Sequence, residues 1–366
     1  SSNGIATVTL NSGSQPGSVP LRVELYDIDD LTDNSLIDQV KDIEVHKTAS
    51  FEILKLYSIF KSGNKNRAIP QSYIPTQSFF DKIASFIRLN FFIPDSRIGW
   101  NYFAFKKAKK LIEENNINCV ITTGPPHSSH LIGKKIYNKF KLKWIVDLRD
   151  PWAELFYLKN KFQFNYVKKL NLKFELDVLN SADAILTTVG NRYKTILRDK
   201  LSNTNKIYKI YNGYDKIAYD KIEEIKPDSY NIVFTGILSK NHNYQLFLEV
   251  LSLLKDKYKD LNMIFTFAGK IDKKIKNLFS EKIQLIDNGY VTHKEAIKII
   301  KSSHLLINFN YLNTEDTDMV SGKLIEYLAS GSPIINFSNS AQESNIIMQN
   351  SRKSFNADSN DLMKVV

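Results

Sequence analysis

The run Asp318-Met-Val-Ser-Gly-Lys323-Leu-Ile-Glu326-Tyr-Leu-Ala-Ser-Gly331-Ser-Pro333 sets the terms for the rest of the chain. Leu324, Ile325, Leu328 and Ala329 recur at helical spacing, so Lys323 and Glu326 share the opposite, polar side. Ser321 and Gly322 open this helix, and Gly331 followed by Pro333 closes it. An apolar strand, Leu305-Leu-Ile-Asn-Phe309, and a polar loop from Asn313 to Thr317 come before it. Strand, loop and helix start is where open α/β sheets bind ligands, and free N–H groups beside a glycine and a lysine suit a phosphate. The competing reading is a short amphipathic helix in which Lys323 and Glu326 only pair with each other across one turn.

The totals narrow the class. A chain of 366 residues exceeds one compact core and predicts two domains. With 43% hydrophobic and 24% charged residues it has the make-up of a globular protein. No apolar run approaches the length that spans a bilayer, and no secretory signal is visible. The single cysteine, Cys119, excludes an internal disulfide framework and fits a reducing compartment; its place in an apolar run makes it a small buried hydrophobe. The net charge of +11 is uneven: residues 51–212 hold 28 Lys/Arg against 12 Asp/Glu, whereas residues 213–366 hold 19 of each. A basic first half predicts an anionic partner: a membrane surface, a nucleic acid or an anionic substrate.

Taken in order, residues 51–111 are aromatic and basic, and a helix over 100–114 feeds a strand at 118–122. Thr123-Gly-Pro-Pro-His127 follows, then a helix to about Lys139, a buried strand at 143–147, and Leu148-Arg149-Asp150-Pro151-Trp152. A basic, aromatic helix pair covers about 153–180. Strands at 184–189 and 207–210 flank a helix near 191–200 and lead into Tyr211-Asn-Gly-Tyr-Asp215. Residues 216–229 read as a linker. A second series then places strands at 231–236, 263–268, 283–286 and 305–309, with helices at 243–257 and 294–302. Strands alternating with helices mean parallel βα units. The architecture expected is α/β, with an N-terminal Rossmann-like domain over 1–212, a linker over 213–230 and a second such domain over 231–366, facing across a cleft.

Taken together, Thr123-Gly-Pro-Pro-His127, Asp147-Leu-Arg-Asp-Pro-Trp152, Tyr211-Asn-Gly-Tyr-Asp215 and Gly322-Lys-Leu-Ile-Glu-Tyr-Leu328 resemble the retaining glycosyltransferases of family 4 (group 1), which have the GT-B fold. The likeness lies in order and spacing over about residues 30–350. It implies a bacterial enzyme of O-antigen, capsule or lipopolysaccharide type that moves a sugar, with retention, from a nucleotide-diphosphate sugar to a lipid-linked or glycan acceptor. It implies no cofactor and no metal, and the sequence has no cluster with metal-ligand spacing. By position, Glu326 matches the acid that holds the ribose hydroxyls, and the first acid of the pair falls on Asp318, whose side chain is shorter than the family's glutamate. Ser321, Gly322 and Lys323 match the loop that meets the diphosphate. Gly236 matches the glycine that lets the diphosphate approach, and Lys240 and His242 are the two candidates for the cation after it. Tyr290 and Val291 fall on the segment that touches the base. His127 matches the histidine facing the transferred sugar; alone it would read as a loop residue capping the next helix. Arg149 and Asp150 orient acceptor or sugar, or pair with each other. Residues 1–26 lack the family's opening strand–loop–helix, and its closing helix is missing after Val366, as in a truncated chain.

Phe, Tyr and Trp alternate with Lys and Arg over 79–110 and 156–173, which predicts docking on an anionic bilayer from the cytoplasmic side, peripheral to the inner face of the plasma membrane. The alternative is that the aromatics are core and the lysines a solvated face. No recognised nucleic-acid module accompanies the charge, so nucleic acid is not expected as a partner. A catalytically inactive sugar-nucleotide-binding protein of the same fold and a nucleotide-sugar epimerase stand as the other readings.

Overall fold

The computed structural model describes residues 46, 48–51, 79–153, 161–188, 190–258, 260–310, 320–337, 343–349, 351 and 353–357. Residues 1–26, read as lacking the opening strand–loop–helix, the last residues before Val366, and Asp318 lie outside these. The chain divides into two compact units, Ser1–Leu186 with Arg198–Tyr208, and Thr187–Leu197 with Lys209–Val366.

Helix α1 (Phe79–Phe91), a 3-10 turn (Ile98–Trp100) and α2 (Asn101–Glu114) lead into β1 (Cys119–Gly124), α3 (Ser128–Phe140), β2 (Lys143–Leu148), α4 (Asn165–Ser181), β3 (Ala184–Thr187), α5 (Asn191–Lys200) and β4 (Ile207–Lys209). The four strands form one sheet in sequence order, with β1 and β2 parallel from Cys119↔Lys143 to Gly124↔Leu148. Trp100 of the 3-10 turn and Ala104 of α2 meet Ile132 and Ile136 of α3, with Val120 of β1 beside them. Residues 161–164 are not helical and α4 begins only at Asn165, so the described part of 153–180 holds one helix. Cys119 is half-buried, and burial pushes its thiol pKa up.

The second series runs through α6 (Lys216–Asp220), β5 (Tyr230–Leu238), α7 (Gln245–Lys257), β6 (Met263–Ile271), α8 (Lys273–Lys282), β7 (Gln284–Asp287), α9 (His293–Lys301), β8 (Leu305–Phe309), α10 (Gly322–Ser330), β9 (Ile334–Phe337), α11 (Glu343–Gln349) and β10 (Ser354–Ala357). Its six strands are ordered β10-β9-β8-β5-β6-β7, and each neighbouring pair is parallel. This is the doubly wound Rossmann order, in which the chain starts at a central strand, moves out one way and returns to build the other side. Phe234, Phe247, Phe265, Phe267, Phe279, Phe309 and Phe337 fill one face; Val233, Ile300, Leu306, Leu324 and Tyr327 fill the other. Residues 216–220, read as linker, form the short helix α6, whose Tyr219 and Ile222 pack with Ile297 and Ala329. The buried carboxylate of Glu343 takes hydrogen bonds from Lys209 Nζ (2.6 Å) and the Tyr211 hydroxyl, fixing the start of α11.

Candidate functional site

The switch point of the six-stranded sheet lies between β5 and β8, and the two strands part there. Their register covers Ile232↔Leu305 and Val233↔Leu306, whereas β5 stays paired with β6 out to Leu238↔Ile271. Beyond Val233, one edge of β5 therefore turns from sheet partners to side chains. The Thr235 N–H donates to the Tyr327 hydroxyl at 2.7 Å, and the Thr235 and Tyr327 hydroxyls share a second contact at 3.2 Å. Burial raises the Tyr327 pKa to about 12, so this phenol stays protonated. The bond ties α10 to the end of β5. Next in β5 comes Gly236, with φ +116°, where an added Cβ would lie 3.3 Å from Lys323 Nζ. Its neighbour Gly269 has φ +133°, and a Cβ there would fall 2.0 Å from the Gly236 carbonyl oxygen. Only glycine suits such left-handed backbone in so close an approach.

Lys323 is the cation of this place. Its ammonium sits 4.4 Å from the centroid of the Phe234 ring, and burial lowers its pKa to about 8. It stays mostly protonated at neutral pH, yet among the described residues no carboxylate pairs with it. The cross-turn partner weighed in the sequence, Glu326, is engaged elsewhere: His293 Nε2 lies 2.8 Å from Glu326 Oε1. Ser321 stands at the N-cap without a side-chain cap bond, and its hydroxyl oxygen is buried without a partner. Gly331 closes the helix in left-handed conformation. The start of α10 thus gathers an unpaired ammonium, a bare hydroxyl and the orphan N–H groups of a first helical turn.

Other predicted donor residues fall around it. His242 is buried, with Nδ1 3.1 Å from the Ser239 hydroxyl. Burial first, and then the charge of Lys323, depress its pKa to about 4, so near pH 7 it is a neutral imidazole beside a lysine. Lys240 is exposed. Tyr290 is 78% exposed and Val291 half-buried; their loop is tied to the sheet where the Gly269 N–H donates to the Gly289 carbonyl at 2.6 Å. The Tyr219 hydroxyl donates to the Glu326 carbonyl at 3.1 Å. Of the predicted donor set, the structure brings Gly236, His242, Ser321, Gly322, Lys323 and Glu326 to one end of the sheet.

The first unit has its own cluster at the ends of β1 and β2. His127 is buried, not a surface cap, and its ring lies flat on Trp152, with centroids 4.9 Å apart at 9°. Neither His127 ring nitrogen meets hydrogen-bond geometry, nor does His130 Nε2; His130 Nδ1 lies 2.9 Å from the Thr122 hydroxyl. Burial depresses the His127 pKa to about 3 and that of His130 well below the usual range. Arg149 donates from Nη2 to the Pro125 carbonyl at 2.8 Å. Burial raises the pKa values of Asp147 and Asp150, with the Arg149 charge acting the other way. The Thr123 hydroxyl donates to Asp147 at 3.2 Å. The N–H and hydroxyl of Ser128, which open α3, both donate at 2.8 Å to Asp95, a residue that no motif marked. His293, Tyr327 and His130 were also unassigned, although each sits inside or beside a quoted run.

Residues 229–364 match the family described as glycosyl transferases group 1, a span that takes in the whole six-stranded sheet. Two parallel-sheet, Rossmann-like units of this kind make the α/β fold of the GT-B glycosyltransferases. Among solved structures, Anabaena Alr3699/HepE in complex with UDP and glucose is similar at TM-score 0.51 and 10% identity, over 90% of this chain and 78% of that one. Sucrose-phosphate synthase from Thermosynechococcus elongatus gives 0.49 and 11%, over 71% and 65%. A variant of S. aureus TarM gives 0.48 and 12%, over 74% and 50%. The chain thus spans half to two-thirds of the length of the latter two, and at these identities the likeness is one of fold. The search of curated proteins gives no match.

Proposed function

We propose that this chain is a glycosyltransferase that moves a sugar, with retention, from a nucleotide-diphosphate sugar to a lipid-linked or glycan acceptor in bacterial surface polysaccharide synthesis. The observation that carries the reading is Lys323: a partly buried ammonium without an anion among the described residues, beside the positive-φ Gly236, at the first turn of α10. A protein retains such a charge where a ligand neutralises it. A diphosphate fits, because it accepts from Lys323, from the Ser321 hydroxyl and from the helix N–H groups together. Glu326, one turn further on, accepts from ribose hydroxyls.

Chemistry follows from where charge develops. As the bond between the anomeric carbon and the phosphate oxygen breaks, negative charge grows on the leaving diphosphate, where Lys323 and the amides stabilise it. The acceptor oxygen bonds to the anomeric carbon on the same face, and its proton passes to the departing phosphate oxygen. No side chain serves as nucleophile and no metal takes part in this scheme. His127, Asp318, Arg149 and Asp150 are assigned to the sugar and acceptor side. Alr3699/HepE was solved with UDP and glucose, which agrees with a nucleotide-sugar donor here.

The acceptor side is read as peripheral to an anionic membrane at the inner face of the plasma membrane. Phe91, Phe162 and Tyr166 are 63%, 65% and 59% exposed, and Phe86 stacks on Phe162 at 6.0 Å. Stacked, exposed rings beside Arg88, Lys161, Lys168 and Lys169 suit the interface of a charged bilayer. Among the described residues no helix is long and apolar enough to cross a membrane.

Calorimetry with UDP- and GDP-sugars tests the donor reading: binding by the wild type that is strongly weakened in Lys323→Ala supports it, and no binding of any sugar nucleotide overturns it. Product formed only when an acceptor is added separates transfer from epimerisation. Flotation with phosphatidylglycerol vesicles at low and moderate salt tests the membrane reading, and absence of binding at both removes it.

A further inference from the structure

Glu326 carries the ribose side of the proposed site, and it is held by a partner 33 residues earlier in the chain. We infer that His293 is a positioning residue of the nucleoside diphosphate site, acting through Glu326; the inference rests on the donor reading above. Local sequence sets the histidine. Thr292 caps α9 in a reciprocal box with Glu295: the Glu295 N–H donates to the Thr292 hydroxyl at 3.3 Å, and the Thr292 N–H donates to Glu295 Oε2 at 3.0 Å. This leaves His293 as the first helical residue, its Nε2 2.8 Å from Glu326 Oε1. The backbone under Glu326 is fixed separately, by the Tyr219 hydroxyl on its carbonyl.

A glutamate side chain has three rotatable bonds, and ordering it costs up to about 2 kcal/mol. His293 holds one carboxylate oxygen before any ligand arrives. The second oxygen, Oε2, has no hydrogen-bond partner among the described residues, which leaves it to accept from a ligand hydroxyl. Such preordering raises affinity without touching the ligand. Lys323, one turn away on the same helix, is left to the diphosphate. A single histidine thereby keeps the acid and the ammonium of α10 from neutralising each other.

The test is calorimetric titration of UDP and of GDP into the wild type, His293→Ala, His293→Gln, Glu326→Ala and the double variant His293→Ala/Glu326→Ala, with the ligand-free thermal midpoint of each. We expect His293→Ala to bind about tenfold more weakly, in line with loss of a hydrogen bond to a charged group. His293→Gln, whose amide N–H reaches a similar point, should recover to within about threefold of wild type. The double variant should bind no more weakly than Glu326→Ala alone, because His293 acts on the ligand only through Glu326. Wild-type affinity in His293→Ala, equal loss in His293→Ala and His293→Gln, or additive losses in the double variant each overturn the inference while leaving the donor reading in place. Wild-type affinity in Glu326→Ala overturns the inference together with the ribose role of Glu326, and absence of UDP and GDP binding by the wild type overturns the donor reading itself.

Discussion

Two helix starts in this molecule face the same electrostatic problem and answer it differently. At α3 the orphan N–H of Ser128 and its hydroxyl are taken by Asp95 of the protein itself. At α10, among the described residues, the Ser321 hydroxyl has no partner and Lys323 has no anion. Both lie at strand ends of parallel sheets, where helix dipoles favour negative charge. The first is satisfied from within and reads as structure. The second fits the proposed diphosphate site, and the contrast supports that proposal more than either motif alone.

The largest expected effect falls on the second start. Lys323→Ala should weaken diphosphate binding by about 2–3 kcal/mol, as expected for a charge-assisted contact in a partly dry site, and calorimetry reads it. Unchanged affinity would mean that the two starts do not differ in function. Asp95→Ala should do the reverse: cost about 1–2 kcal/mol of stability through loss of a cap and leave UDP or GDP affinity as it was. Urea unfolding and calorimetry on the same variant check both halves. A pH scan gives a smaller effect. Because the Lys323 pKa is lowered to about 8, the cation is present below that value and lost as pH rises through it; the bound diphosphate favours the protonated form. Affinity should therefore fall by about threefold to tenfold between pH 7 and pH 9, with net proton uptake on binding near pH 8. Lys323→Ala should abolish this lysine-linked fall and uptake. The smallest effect belongs to Ser321→Ala. An N-cap serine normally contributes about 1 kcal/mol, but this one makes no cap bond, so the ligand-free midpoint should stay within error while diphosphate binding weakens severalfold. A clear drop in midpoint would show that Ser321 is a cap after all, like its counterpart.

Much of the second sheet was legible in the sequence because its strands are unbroken apolar runs. Leu305–Phe309 was expected and found with the same ends, and Gly331 with Pro333 marked the end of α10 correctly. Helix α8 escaped notice: Lys273–Lys282 is lysine-rich and buries only Ile275 and Phe279, too sparse a stripe to show a period. Helix α4 is the described member of the pair expected over 153–180; 161–164 continue the aromatic and basic composition without helical geometry, and 154–160 lie outside the described residues. The places of the candidate site residues were legible where a motif fixed them on an element, as with Gly236 and Lys323. Their partners were not. Asp95 meets Ser128 across 33 residues and His293 meets Glu326 across the same separation, and only the folded chain brings such pairs together. His242 shows the opposite error: its position suggests a cation, but burial keeps it neutral.

The crossing of Gly236 and Gly269 has a consequence for redesign. With a Cβ on Gly269 excluded by the carbonyl of Gly236, this wall of the proposed donor site is bare peptide and carries no side chain that evolution or an engineer could vary. Under the proposed function it meets what every nucleoside diphosphate has in common. Changes of base or sugar preference have to be written in the loops around it, with the solvent-facing ring of Tyr290 the first letter to change.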